Sequence, residues 1–369
     1  MTTDRPTRTL WARLKAHYGE GLPPLADFRG VFKHVRWLMY VVRTMPLGFR
    51  RLWKLQPIVA LVPSLFCIFL LRAGFEYIPV AMAFLAGAFL FILLRIYRLN
   101  GGEDGRDSTA ARLSDFAVQY ALGGVLVFIL PFYLESATFF SWNIAFNVYL
   151  LALTVVANWD ALYLALVVRR PLWRTVFHGS IFFATLNFIF PVLLGMRNVW
   201  SILISAGLSG LLVLAFAHPE RWLWRRPKNM ALVLFGVAAV AAALWFGRAL
   251  IPPAPLKLVY GTACDGVEQR KPALPFERMT EGERSRATFF SAIFAPMGLK
   301  EGVVHVWRHD GEPVSEVDLG SLTGGREEGF RTWSRHTLRE GPGRYTVEVW
   351  TAGGQLVGRG SFDVTPKAE

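Results

Sequence analysis

Between Lys54 and Arg248 the chain returns repeatedly to stretches of close to twenty residues that hold almost no charged side chain. A helix needs about 20 apolar residues to cross roughly 30 Å of hydrocarbon, so these stretches restrict the chain to a membrane bundle. They are residues 55–71, 77–94, 116–134, a stretch within 143–168, the intervals Arg174 to Arg197 and Arg197 to Glu220, and residues 229–247. An alternative count of six makes the proline-broken first stretch re-entrant. Composition agrees, since 53% of the 369 residues are hydrophobic and 18% are charged. An ordinary soluble domain carries about 25% charge. The expectation is a membrane all-α bundle of about seven transmembrane helices.

The net charge of +13 is unevenly placed. Arg95, Arg98, Arg106 and Arg112, then Arg169, Arg170 and Arg174, then Arg221, Arg225, Arg226 and Lys228 fall on the side of the basic N-terminal segment. Only Arg72, Arg197 and Arg248 flank the spans opposite. By the positive-inside rule the N-terminus is cytoplasmic and everything after residue 251 is periplasmic, in a bacterial inner membrane. That direction disfavours seven-helix receptors, and the lack of a lysine in the last span excludes a retinal Schiff base. Within residues 1–54, Phe28, Val31, Phe32, Val35, Leu38, Met39 and Val42 share a helical face, which reads as an interfacial helix or as a cytoplasmic helix packed on the bundle. No cleavable signal peptide is expected. Cys67 and Cys264 are expected to be free thiols.

Pro252, Pro253 and Pro255 open a new regime in which charge density rises and is nearly balanced. That balance argues against nucleic acid as a partner. Strand-like runs cover 256–263, 287–295, 303–309, 314–319, 330–338, 344–351 and 355–364, separated by glycine-rich turns. They predict an all-β immunoglobulin-like sandwich over residues 252–369, following a transmembrane domain at 55–251. The order His305-x-Trp307, Trp333-Ser334, Gly343-x-Tyr345-x-Val347-x-Val349, Gly354-x-Leu356 and Phe362-x-Val364 resembles a bacterial domain-of-unknown-function family, number 2914. The resemblance covers about the last 100 residues. It implies a domain placed after a multi-helix membrane region, and no reaction.

Chemistry-bearing residues are few. Asp160 lies about 13 Å into the bilayer at helical rise, where an aspartate costs about 2.5–3.5 kcal/mol, so it should face protein or water. It marks either a proton or ligand site, with Tyr163 and Asn187, or an interhelical hydrogen-bond clamp. Ser201, Ser205 and Ser209 form a packing stripe of small residues. The run Gly207-Leu208-Ser209-Gly210 looks like the nucleophile motif of rhomboid proteases, but the last span has no histidine to activate it. His305 and His309 are weak metal candidates, because spacing supplies no third ligand. Trp307, Trp333 and Trp350, with Arg308, Arg331 and Arg335, suggest a platform for a glycan or anionic lipid, or else ordinary sandwich core and edge.

No cofactor is implied. The sequence points to a non-enzymatic envelope protein whose sandwich binds or scaffolds a periplasmic protein, glycan or lipid. The competing class is a transporter or lipid-handling enzyme with a site around Asp160.

Overall fold

A computed structural model describes residues 109–168, 170–217 and 227–367. All lie in the compact unit Ser64–Glu369, the other unit being Met1–Pro63. The first two expected spans and the amphipathic segment before them lie outside the described residues.

The main helices are α1 (Thr109–Glu135), α2 (Ile144–Asn158), α3 (Pro171–Leu194), α4 (Asn198–Ala217) and α5 (Pro227–Phe246). Pro171 sits in the first turn of α3, where its missing N–H would be unsatisfied anyway. Gly195 closes that helix at φ 59°, a left-handed cap that costs glycine nothing. Val125, Leu126, Ile129 and Tyr133 of α1 pack against Leu150 and Leu153 of α2 and Ile181, Phe182 and Phe188 of α3.

The expectation of about seven transmembrane helices is corrected. Among the described residues there are six α-helices, counting the turn Asp160–Leu162. Of these described helices, Val118–Glu135 and Leu172–Leu194 are long and apolar enough to cross a membrane. Ile144–Asn158, Asn198–Leu211 and Leu234–Phe246 are apolar but shorter. The expected fourth span shows why. Its helix ends at Asn158, and Trp159 turns extended (φ −115°, ψ 101°). The chain resumes as Asp160–Leu162 and a π-helical turn, Tyr163–Val168. Gln119 of α1 donates to the Ala157 carbonyl (3.0 Å), giving a polar group near the helix end a partner from another helix. Thr154 and Asn158 bond back to the carbonyls of Leu150 and Thr154 (2.8 Å each), a pattern that bends helices. Absence of charge therefore overstated helix length: α2 spans about 22 Å, short of the hydrocarbon core.

The C-terminal region is a β-sandwich. Its strands are β1 (Lys257–Glu268), β2 (Lys271–Phe276), β3 (Arg278–Thr280), β4 (Arg286–Phe294), β5 (Lys300–His309), β6 (Glu312–Thr323), β7 (Phe330–Thr337), β8 (Gly343–Thr351) and β9 (Leu356–Thr365). One sheet has the order β2-β1-β4-β7 and the other β3-β9-β8-β5-β6. All seven expected runs are strands; β2 and β3 are additional. Alternation on β5 and β8 puts Val303, Trp307, Tyr345, Val347 and Val349 into the shared core with Phe289 and Phe362. The Tyr345 hydroxyl donates to the Gly341 carbonyl (3.1 Å), a tyrosine corner that fixes the turn into β8.

Candidate functional site

Side-chain hydrogen bonds tie the helices to the base of the sandwich. Residues Ile251 to Leu256, the proline-rich connection, are buried throughout. The helix connections on that side are tied to a strand or to the turn between β8 and β9. Arg359 donates to the carbonyls of Phe139 and Phe140 (3.0 Å each), and Asn143 donates to that of Leu356 (3.3 Å). Gln355 donates to the Ile251 carbonyl (2.9 Å). After α5, Arg248 donates to the Gly353 carbonyl (2.6 Å). At the α3–α4 turn, a Cβ on Gly195 would stand 2.6 Å from the Gly298 carbonyl oxygen, so only glycine fits there.

At this turn Glu301 enters from β5. Its carboxylate accepts the Asn198 N–H at the start of α4 (2.8 Å) and faces the Arg197 guanidinium (3.5 Å). The Glu301 side chain is fully buried while that of Arg197 is half exposed. Burial raises the Glu301 pKa above the ordinary carboxylate range, against the opposing pull of the Asn198 N–H and Arg197. No motif marks Glu301, but strand parity does, since it shares the inward phase of Val303, His305 and Trp307.

The sandwich interior holds the two predicted histidine positions apart. His305 is buried between Ser291 (2.9 Å to Nε2) and Ser334 (2.8 Å to Nδ1), and Trp307 Nε1 donates to the same Ser334 hydroxyl (2.9 Å). A neutral ring with its proton on Nε2 satisfies every partner, and burial holds the His305 pKa down at about 3. Both of its nitrogens are occupied by serines that bridge the two sheets. His309 instead packs on the Tyr345 ring (4.6 Å) and bonds the Pro342 carbonyl (3.2 Å).

The predicted platform residues divide over three surfaces. Trp307 is fully buried and stacks on His336. Arg308 pairs with Glu348 (2.8 Å), which also accepts Trp350 Nε1 (3.0 Å), on the outer side of the five-stranded sheet. Arg331, Trp333 and Arg335 stand together on the outer side of β7. Trp333 is 40% exposed.

In the helices, Asn187 donates to the Tyr133 hydroxyl (3.1 Å), which donates to the Ala184 carbonyl (2.8 Å). Ser201 reaches the Asn187 carbonyl (3.0 Å). Tyr163 packs instead on Phe177 (5.7 Å), about 15 Å along α3 from Asn187 at helical rise. Asp160 opens the turn after the helix break; its side chain lies outside the described residues.

A family model described as a family of unknown function (DUF5924) matches residues 32–290, and one described as a protein of unknown function (DUF2914) matches residues 300–364. The second bears out the resemblance read from the C-terminal strands. No curated protein matches the chain. The first match runs into β4, so the sandwich is shared between the two.

Proposed function

The chain belongs to DUF5924, a family of unknown function, and from its geometry we propose that it is an inner-membrane envelope protein holding a binding or scaffolding sandwich on the periplasmic side. The observation that carries this reading is the junction. The connections after α1, α3 and α5 all bond the base of the same sandwich, so the sandwich is a rigid extension of the helices. Exposed tryptophans support the membrane setting: Trp142 and Trp200 near the sandwich, Trp159 and Trp173 at the opposite ends. From Trp173 to Leu194 helical rise gives about 32 Å, the separation expected of two interfacial aromatic belts. The arginines near the opposite ends, Arg170 and Arg174, support a cytoplasmic setting for that side. A reporter active only in the periplasm should be active when fused after Glu369 and silent when fused within residues 101–109. The reverse pattern overturns the reading.

The break at Trp159 favours a second reading, a transport or lipid-handling site at Asp160, because interrupted helices line transporter sites. Asp160→Asn separates the two. A wild-type cellular phenotype dismisses the transport reading; loss of phenotype with normal melting in detergent supports it.

A further inference from the structure

We infer that the β1–β2 turn and the outer side of β7 together form a binding site for an acidic saccharide chain. This rests on the reading of the sandwich as the binding module and names its ligand class.

The hairpin joining β1 to β2 pairs Glu268 with Lys271 and turns through Gln269 and Arg270. Both turn residues have positive φ, 47° and 60°. A two-residue turn of this kind is normally built from Asn-Gly, because other side chains are strained there. The turn keeps a glutamine and an arginine instead. It also reaches across the sheet: Arg331 on β7 donates to the Arg270 carbonyl (3.4 Å), and Val267 of the hairpin packs beneath against Cys264, Phe290 and Ala292. Residues 270–271 and 331–335, remote in sequence, thus share one surface.

Along β7, Arg331, Trp333 and Arg335 alternate outward, about 7 Å apart. Cross-strand pairing places them beside Ala292, Phe290 and Thr288, so Trp333 stands next to an apolar neighbour and between two arginines. Glu328 pairs with Arg331. Among the described residues Arg270, Lys271 and Arg335 form no ion pair with a carboxylate; of the two acids on β1, Asp265 is held by Arg284, and Glu268 stands opposite Lys271 in the strand pairing. Guanidinium forks fit carboxylate and phosphate oxygens, while an exposed Trp face covers the apolar face of a sugar ring. Phe330 lies opposite Ile293, next to Phe294 in the cleft against α1, so the row rises from the helices towards the far end of the sandwich. A row with that direction suits an extended polymer better than a headgroup lying in the bilayer plane.

The test is calorimetric titration of the purified full-length protein in detergent with hexagalacturonate, maltohexaose and dihexanoyl phosphatidylglycerol. Hexagalacturonate should bind in a salt-dependent way, and maltohexaose should not. Trp333→Ala and Arg335→Ala should each weaken binding tenfold or more with unchanged melting, while Arg344→Ala on the other sheet should not. Equal binding of the neutral sugar, variants that bind like wild type, or binding of the lipid in place of the uronate would each overturn the inference. A reporter result placing the sandwich in the cytoplasm would instead defeat the proposed localisation and leave these titrations to stand.

Discussion

Glu301 shows how one residue can fix the relation of two parts of a fold. Its raised pKa means that the folded state holds a proton more tightly than the unfolded chain does. Above the ordinary value of 4.5, stability should therefore fall as pH rises through the folded pKa. Glu301→Gln keeps an acceptor for the Asn198 N–H and removes the ionisation. Melting followed from pH 4.5 to 8 should show a flatter slope for this variant, with stability at pH 7 equal to wild type or higher. Glu301→Ala strands a buried N–H and should cost about 1–3 kcal/mol. An unchanged slope in Glu301→Gln would show that this carboxyl is not the titrating group. The sequence disclosed the parity of β5 but not the partner: Asn198 lies 103 residues away, and no local pattern links the two. Trp307 is similar. Its residue type suggested a binding surface, and its phase on the strand put it in the core.

At the level of elements, period-two alternation made seven strands legible and left two unread. β2 carries Pro272 and Pro275, which an edge strand tolerates but which remove the usual strand signature. β3 has three residues, too few to show any period. The helices failed in the opposite way. Hydropathy detects the apolar stretch around α2 but not the break at Trp159, beside which Gln119 from another helix bonds the Ala157 carbonyl. The β1–β2 turn yields a prediction of its own. Replacing Gln269-Arg270 by Asn-Gly relieves two strained φ angles and should stabilise the sandwich by about 1 kcal/mol. The same change removes the Arg270 side chain and should weaken binding of hexagalacturonate. Denaturant midpoints check the first effect; a lower midpoint would mean that the turn is not strained.

For the molecule as a whole, prolines and rising charge mark a boundary at the proline-rich connection, which is buried directly before β1. The strands on either side of residue 300 complete one sandwich. The second family match contains β5 to β9 but lacks β1 and β4, which pair with each other and carry β7 in the four-stranded sheet. Positive-inside charge gives an expectation for the side of the sandwich, which the reporter fusions test. The docking was not legible, because it is built from backbone carbonyls and single polar side chains scattered over three helix connections.

The central claim, a sandwich fixed to the helices outside the cytoplasm, is tested most directly by one cross-link. A Cβ on Gly353 would stand 3.0 Å from the Val199 Cβ, so a shift apart of about 0.5–1 Å brings the pair to the roughly 3.5–4.5 Å of a disulfide. In a background lacking Cys67 and Cys264, Val199→Cys with Gly353→Cys should oxidise spontaneously in growing cells, because disulfides persist in the periplasm and are rare in the cytosol. The measurement is labelling of the pair by a maleimide polymer before and after reduction. The expected result is no labelling until reductant is added, with each single cysteine labelled throughout. Full labelling of the pair without reductant would contradict the docking, the compartment, or both.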